Sequence, residues 1–487
     1  MLLEEVFVTN GVPSVTLVTP SGLNELRVDL RTPGKSVIVE GPSGVGKTTA
    51  VKTAMARNKS AETGSWFQCR IPRDVQRLVS AIQDEGSGVF ILDDFHCLDP
   101  MLQQLVADEM KALADAQDRS RKFVVLGINS AGRALVRLAP DIVGRVGVFP
   151  MRTDDDALLR EIIAKGEAAL RIEFDDREAI IQESLGSFQL CQLICQKLCI
   201  EHGILEKSDR KVKVSVKLVG IRQKLLADFG RRWQRFAVAF ARGLNFNALG
   251  RAPYLMLLKW LSEEDQWSLD VREAVKRYPT ERSSVGQVVD RGFLDQFFAQ
   301  RRDDLEEFIC WEANSGFLSI ESPQAFYYLK HQFWNAFAAQ CGFRKIEFDH
   351  RFDFALSFGP EGRKVAREIA DQLVQLNFAV FYDEDLLSES LGGALTSYLE
   401  SVYGHECRFS VPIITRDYPS RVWTFVEQRA IRGRFESGAA IPVIAKGVTL
   451  SFFDNSRLVS GLFFDPDADP RVEGKQIADK MARRASA

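Results

Sequence analysis

Residues 37–49 read Val-Ile-Val-Glu-Gly-Pro-Ser-Gly-Val-Gly-Lys-Thr-Thr, and no other stretch limits the chain's possible folds as much. Val37 to Val39 is a short, apolar, β-branched run, the pattern of a buried strand. Gly41-x-x-x-x-Gly46-Lys47-Thr48 follows at once, and Val51, Ala54 and Met55 then fall at helical spacing. Strand, glycine loop and helix in that order predict a loop whose backbone N–H groups converge on phosphate. Gly44 and Gly46 let the main chain curl, and the new helix adds the positive end of its dipole. Lys47 is then placed to reach the β- and γ-phosphates of a nucleotide, and the Thr48 hydroxyl to hold Mg²⁺. Gly41, Gly44, Gly46 and Thr49 complete the expected loop contacts. A chance Gly-Lys-Thr in a surface loop is the alternative, and two correct flanks argue against it.

A loop of this kind needs a carboxylate on a neighbouring strand, and Val89-Phe90-Ile91-Leu92-Asp93-Asp94 supplies one. Four apolar residues ending in two acids predict a central parallel strand with its acids at the carboxyl edge, where open α/β sheets bind ligands. Asp93 is expected to hold Mg²⁺, directly or through water, and Asp94 to orient an attacking water. A third strand, Lys122 to Ile128, ends at Asn129, a polar residue suited to sensing a γ-phosphate or its water. A fourth element, Asp141 to Val146, carries Arg145, for which a phosphate contact and a surface salt bridge are equally open. Residues 5–30 are expected to be β-rich and to cover the adenine side of a nucleotide.

The chain has 487 residues, enough for about three domains at roughly 100–200 residues each. A net charge of −3 gives no global attraction to nucleic acid or to anionic membrane. No apolar run approaches the roughly 20 residues that span a bilayer. The start, Met-Leu-Leu-Glu-Glu, lacks the pattern of a signal peptide. Eight cysteines over this length form no extracellular framework, so a cytoplasmic protein with reduced thiols is expected.

Gly41 to Thr48, the pair Asp93-Asp94, and Asn129 resemble the STAND and AAA-like branch of P-loop ATPases, over about the first 200 residues. The resemblance implies a P-loop NTPase α/β domain over 1–160 that binds ATP and Mg²⁺ and acts as a switch. It also implies a small helical lid over 161–205. Asp94 stands where many AAA proteins carry glutamate, which fits slow or absent turnover. The lid is read from helical patterns at Asp155–Phe174 and from Gly186 onward. Ser187 or Phe188 stands where the family often has proline, which leaves a nucleotide contact from that helix in doubt.

Cys191, Cys195 and Cys199 lie at i, i+4 and i+8 among Leu190, Leu193 and Ile194. A structural zinc site wants paired close spacings and a fourth ligand, so buried apolar thiols are the better reading. Residues 205–235 are basic, from Lys207 through Arg235, with Trp233 and Phe236 among them. Such a stretch either tracks a phosphate backbone or, more commonly, forms a solvated face or internal docking surface. Residues 252–340 alternate expected helices (Tyr254–Leu261, Leu269–Arg277, Ser284–Phe298, Leu305–Ala313) with a hairpin whose strands are Gly316–Glu321 and Ala325–Leu329. Helices followed by a hairpin suggest a winged-helix-like α+β middle over 206–345. The family resemblance makes this an internal packing module. No repeat of 20–50 residues is present, so no solenoid sensor is evident.

From residue 350 strands and helices alternate: Phe352–Phe358, then Val365 to Leu376, Phe378–Tyr382, Arg408–Ile414 and Ala440–Ile444. Alternation of this kind predicts a parallel, flavodoxin-like sheet. Phe352–Phe358, Phe381-Tyr382-Asp383 with the Ser388–Gly393 loop, and Ser420-x-x-Trp423-x-x-x-Glu427 resemble the three blocks of a TIR domain, here 346–487. The resemblance implies either an NAD⁺-cleaving enzyme or an adaptor that only assembles. In the enzymes the glutamate four residues after the tryptophan is essential, which makes Glu427 the catalytic candidate. NAD⁺ loses nicotinamide as a neutral leaving group, so one carboxylate stabilising the oxocarbenium-like ribose suffices. Phe358 and Trp423 are candidate aromatic walls or core residues. Asp383 is a candidate for ordering the loop, and Arg363 either pairs with a pyrophosphate or lies on the surface.

These readings converge on a multidomain α/β chain in which ATP and some trigger drive homo-oligomerisation and complete NAD⁺ sites between protomers. The domain combination resembles prokaryotic immune proteins that act against phage. A separate sensor or a phage component is the expected trigger, and no membrane partner is expected. The rivals are a non-catalytic TIR scaffold and a nucleic-acid sensor acting through the basic middle.

Overall fold

The computed structural model describes residues 1–20, 22–41, 44–56, 64–84, 86–127, 144–151, 156–265, 267–279, 281–305, 307–313, 315–320, 322–344, 349–382, 398–399, 401–418, 431, 434–435, 437–448 and 461–486. After a short helix α1 (Leu3–Val6) and α2 (Leu23–Arg31), the first layer system comprises β1 (Val37–Glu40), α3 (Lys47–Ala56), β2 (Gly64–Gln68), α4 (Pro72–Gln83), β3 (Gly88–Asp93), α5 (Pro100–Ala116), β4 (Arg121–Gly127) and β5 (Gly147–Pro150). The sheet is wholly parallel, in the order β2-β3-β4-β1-β5. Side chains alternate across it. Val37 and Val39 meet Leu26, Leu30 and Val51 on one face. Ile38, with Phe90 and Phe123, meets Leu78, Met110 and Leu113 on the other. Because every strand runs the same way, Gly41, Asp93 and Gly127 finish along one edge.

Two expectations for this region are corrected. Residues 5–30 are not β-rich: they form α1 and α2 with an extended segment between, outside any sheet. Leu23, Leu26 and Leu30 make a helical stripe whose burial against β1 outweighs local β propensity. Of the element expected at 141–146, residues 141–143 lie outside the described residues; Gly144 (φ 86°) falls in the turn before the strand β5 at 147–150. β2 and α4 carry no strong sequence signal and were not anticipated.

The next unit contains α6 (Asp156–Leu170), β6 (Ile172–Phe174), α7 (Arg177–Glu183), α8 (Phe188–Glu201) and β7 (Val212–Val214), with β6 and β7 paired in parallel. Cys191, Cys195 and Cys199 are fully buried on α8 among Leu190, Ile194 and Leu198. Burial pushes the Cys199 thiol up to about 12 and Cys195 well above its ordinary value. Among the described residues no group of three or more His, Cys, Asp or Glu could hold a metal. The thiols pack as small apolar groups. Phe7 of the N-terminal segment packs against Gly166, where a Cβ would come within 2.2 Å of its ring.

The middle of the chain is built on α9 (Leu218–Arg242), whose Ile221, Leu225, Phe229, Trp233 and Phe240 are buried. Many of its basic residues are engaged internally: Arg222 with Glu183, Lys224 with Glu201, Arg231 with Asp228, and Arg232 with Glu307. Around it lie α10 (Pro253–Glu263), β8 (Ser268–Asp270), α11 (Val271–Arg277), α12 (Arg282–Asp290), α13 (Phe293–Leu305), β9 (Cys310–Glu312), β10 (Phe317–Ser319), α14 (Pro323–Lys330) and α15 (Trp334–Cys341). β8, β10 and β9 form an antiparallel sheet in that order.

The hairpin therefore exists, but its strands are 310–312 and 317–319. The segment expected as its second strand, Ala325–Leu329, is helical. Ser322 Oγ accepts the Ala325 N–H at 3.4 Å and Pro323 opens the helix, a start signal that overrides the aromatic run Phe326-Tyr327-Tyr328. Likewise Leu305–Ala313 is not one helix but the end of α13 followed by β9, and Leu269–Arg277 divides into β8 and α11.

The C-terminal unit comprises β11 (Phe352–Phe358), α16 (Arg363–Gln375), β12 (Val380–Phe381), β13 (Cys407–Ile414), β14 (Val443–Ala445), β15 (Leu462–Phe464) and α17 (Pro470–Ser486). Its sheet is parallel, ordered β12-β11-β13-β14-β15, the 2-1-3-4-5 doubly wound sequence. The strand expected at 440–444 is displaced to 443–445, with Ala440 making only an isolated bridge to Ser410. β15 and α17 were not anticipated. α17 packs along α16, and Gly474 permits the approach, since a Cβ there would meet the Glu368 backbone at 3.2 Å. Among the described residues no helix is long and apolar enough to cross a membrane.

The middle and C-terminal units are joined by buried polar contacts. Arg251 Nε donates to Asp353 Oδ2 at 2.9 Å and its Nη2 to Oδ1 at 3.2 Å, with the two side chains 5% and 8% exposed. The Gln287 carboxamide pairs with both the N–H and C=O of Val380, as a neighbouring strand would, and so covers the open edge of the sheet at β12. Arg251→Met strands the Asp353 carboxylate inside the protein, where the Ala379 N–H still donates to it at 2.8 Å. Loss of one partner of a buried pair is expected to cost about 3–5 kcal/mol. Urea unfolding followed by tryptophan fluorescence measures it; a loss below about 1 kcal/mol would show that the pair does not hold the units together.

Candidate functional site

The loop after β1 has the conformation that its glycines predict. Gly44 and Gly46 have φ of 78° and 91°, a region in which side chains with a Cβ are strained. Space is also short. A Cβ on Gly44 would lie 2.8 Å from Ser187 Oγ and 3.0 Å from Pro323 Cγ, and one on Gly46 would lie 3.3 Å from the Phe188 ring. The start of α8 and the start of α14 thus close on the loop from outside the sheet domain. Ser187, doubted from sequence as a nucleotide neighbour, caps α8 by accepting the Leu190 N–H at 3.2 Å. The Gln189 N–H donates to the Gly44 carbonyl at 3.3 Å.

Helix α3 begins at Lys47, so its positive end meets the loop. Lys47 Nζ donates to the Gly41 carbonyl at 2.6 Å. Thr48 Oγ1 lies 3.5 Å from Asp93 Oδ2, across from β1 to β3. The Asp94 N–H donates to Asp93 Oδ1 at 3.1 Å. Asp94 has a left-handed backbone (φ 58°) and pairs with Arg70 Nε at 2.8 Å, a partner that the sequence did not suggest. Burial pushes the Asp93 carboxyl above its ordinary value and the neighbouring Asp94 adds to the rise, while Lys47, the Asp94 N–H and the Thr48 hydroxyl oppose it. Two adjacent carboxylates in a partly desolvated corner, beside a hydroxyl, are hard oxygen donors suited to Mg²⁺.

These residues line a cavity of about 360 Å³, within the range of small-molecule sites. Gly44, Gly46, Lys47, Thr48, Thr49, Asp93 and Asp94 form one end. The stretch from Val8 to Pro20 forms another wall, and Phe188, Gln189 and Gln192 of α8 a third. The extended N-terminal segment therefore does lie on the cavity, although it is not a sheet. Gln192 escaped sequence reading because nothing local separates it from the core positions of its helix. Arg145 is not in the lining; it pairs with Asp115 at 3.0 Å. Asn129 lies outside the described residues.

In the C-terminal unit, Phe358 ends β11, is 8% exposed, and stacks on Tyr382 with ring centroids 5.0 Å apart. Arg363 opens α16 and is exposed. Ser357 Oγ and the Tyr418 hydroxyl are 2.8 Å apart, linking the carboxyl ends of β11 and β13, the switch point of this strand order. Asp417 accepts the Glu361 N–H at 3.2 Å and the Thr415 hydroxyl at 2.6 Å. Gly359 leaves room for that carboxylate, since a Cβ would fall 2.8 Å from Asp417 Oδ2. Asp383, Trp423 and Glu427 lie outside the described residues.

No protein-family profile matches the chain. Over 85 residues it is 29% identical to the 3′ cyclic ADP-D-ribose synthase AaTIR of Aquimarina amphilecti, covering 18% of this chain and 26% of that protein. The match thus spans about a quarter of the relative's length. Among solved structures, similarity is found to the Aeropyrum pernix ORC1 protein in complex with DNA, at 13% identity and a TM-score of 0.36, over 68% of this chain and 97% of that one. It is also found to a Thermotoga maritima RuvB variant, at 14% identity and a TM-score of 0.34, over 63% and 93% of the two chains.

Proposed function

We propose that this chain is an ATP-gated, oligomerising switch whose C-terminal TIR domain cleaves NAD⁺. The observation that carries the nucleotide half is the Gly44–Gly46 loop facing Thr48 and Asp93 across one cavity. In this reading residues 1–160 are the P-loop NTPase core, 161–205 its lid, and 206–345 a winged-helix-like connector. Residues 346–487 are the TIR domain, in a cytoplasmic protein of antiphage defence. The loop N–H groups and Lys47 would hold the phosphates, while Thr48 and Asp93 would hold Mg²⁺, which would supply positive charge to offset that of the phosphates. Closure of α8 and α14 on the loop gives occupancy a route to the rest of the chain.

The NAD⁺ half is supported by the TIR-like sequence blocks, by the 2-1-3-4-5 parallel sheet, and by the partial match to a cyclic ADP-ribose synthase. In the reaction the bond between ribose C1′ and the nicotinamide nitrogen breaks, and its electron pair leaves on neutral nicotinamide. The Glu427 carboxylate stabilises the positive ribose. Water or a hydroxyl of the same ADP-ribose then attacks C1′ and releases a proton, giving ADP-ribose or a cyclic isomer.

The test is nicotinamide release from NAD⁺ by the purified chain, with ATP and Mg²⁺ and without, alongside its oligomeric state. Release that requires ATP is expected. Failure to bind ATP would remove the nucleotide half. ATP-bound oligomers that release no nicotinamide would instead make the C-terminal unit a scaffold.

A further inference from the structure

We propose that Asp417 is a positioning residue for NAD⁺ cleavage: its carboxylate fastens together the two loops that bound the crevice of the C-terminal sheet. The inference rests on the NAD⁺ reading above and adds a residue to it. Strand β11 connects onward to β12 on one side of the sheet, and β13 to β14 on the other. The gap between two such diverging loops, at the carboxyl ends of the strands, is where sheets of this kind take a ligand. The first loop, Gly359-Pro360-Glu361-Gly362, leads to Arg363 at the start of α16. The second, Thr415-Arg416-Asp417-Tyr418, continues along the chain to Glu427.

Asp417 joins the two. Its Oδ2 accepts the Glu361 N–H at 3.2 Å, across the gap, and its Oδ1 accepts the Thr415 hydroxyl at 2.6 Å, on its own side. One oxygen holds the far loop and the other fixes the rotation of the carboxylate. Gly359 makes the approach possible. The three atoms nearest to a Cβ there all belong to the Asp417 side chain, at 2.8 to 3.0 Å. One step deeper, the Ser357 and Tyr418 hydroxyls meet at 2.8 Å, and both residues are buried. The strand ends therefore stay fixed whatever becomes of Asp417. Loss of its carboxylate loosens the rim of the crevice and leaves the core closed. A substrate gripped from both loops then has to arrest that motion itself, and the cost falls on the rate.

The test is steady-state nicotinamide release by the full chain at saturating ATP and Mg²⁺, with a thermal melt of each variant. Asp417→Ala is expected to lower kcat about ten- to a hundredfold, the scale of a misplacement near one ångström, at a nearly unchanged Tm. Asp417→Asn is expected to retain most of the rate. Its amide oxygen accepts the Glu361 N–H, and its amide nitrogen donates to the Thr415 hydroxyl. Gly359→Ala pushes the carboxylate away from the other side and is expected to match Asp417→Ala. Added to Asp417→Ala, it is expected to cost little more, because the atoms it strikes are gone. A general loss of stability would not produce that lack of additivity. An unchanged kcat in Asp417→Ala overturns the inference, and so does an equal loss in Asp417→Asn, which would make the charge and not the tie the cause. Either result leaves the NAD⁺ reading standing. ATP-bound oligomers of the unaltered chain that release no nicotinamide overturn both. Should Asp417→Ala fail to fold, Gly359→Ala beside Asp417→Asn decides.

Discussion

Lys47→Ala is expected to weaken ATP binding by at least about a hundredfold while leaving the fold intact. The ammonium contributes charge-assisted hydrogen bonds to phosphate oxygens, each worth about 1.5–3 kcal/mol, and two of them account for a hundredfold or more. The side chain is half-buried, and Nζ rests on the Gly41 carbonyl at 2.6 Å. Its charge also opposes the rise of the half-buried Asp93 carboxyl, so its removal lets that carboxyl rise further. A nucleotide titration by calorimetry, beside a thermal melt, separates the two effects. Unchanged affinity would mean that the cavity is not a phosphate site. If ATP governs the output, nicotinamide release falls in the same variant.

Glu427→Ala is expected to reduce nicotinamide release by about 100- to 1000-fold, the scale seen when a preorganised charge-stabilising group is removed. ATP affinity is expected to stay within about twofold of the unaltered chain, because the proposed function assigns Glu427 to the NAD⁺ reaction and not to the nucleotide cavity. Glu427→Gln tests the charge directly: it keeps the size and hydrogen-bonding reach but cannot offset a positive ribose. Release retained in Glu427→Gln would place the effect in positioning, and release retained in both variants would dismiss Glu427 as the catalytic group. Measurements at saturating ATP, on samples of known oligomeric state, keep a failure of assembly from being mistaken for a failure of chemistry.

The contact between Gly44 and two distant helices bears on both predictions. Ser187 belongs to the cap of α8 and Pro323 to the first turn of α14, and both stand within about 3 Å of where a Gly44 side chain would be. Glu183, at the end of α7, is bound by Arg222 from α9 at 2.9 Å and by the Tyr327 hydroxyl from α14. Burial alone would raise the Glu183 carboxyl, but those two partners and His331 bring it below its ordinary value. Of the two helices that touch the loop, α14 is thus tied to this buried anion through Tyr327, and parting them would strand a charge.

The sequence by itself determined the elements whose signals are local. The run Val37–Val39, the glycine spacing to Thr48, and the acids ending Val89–Asp94 specified β1, the loop, α3 and β3. Strand and helix periods from 352 to 414 specified β11, α16, β12 and β13. In each case apolar period, glycine and charge agree over a few residues, so neighbours alone decide the conformation.

Only the tertiary structure decided the rest. Phe326-Tyr327-Tyr328 has strand propensity yet is helical, because the cap at Ser322 and packing on α9 prevail. The strand β15 is three residues long and α17 is largely polar, and both gain their stability from partners far away in sequence. Arg70 reaching Asp94, α8 and α14 closing on Gly44, and the N-terminal segment lining the same cavity as the glycine loop all depend on contacts between segments tens to hundreds of residues apart. Such contacts leave no periodic trace, since one long-range hydrogen bond or one close approach constrains a single residue at each end.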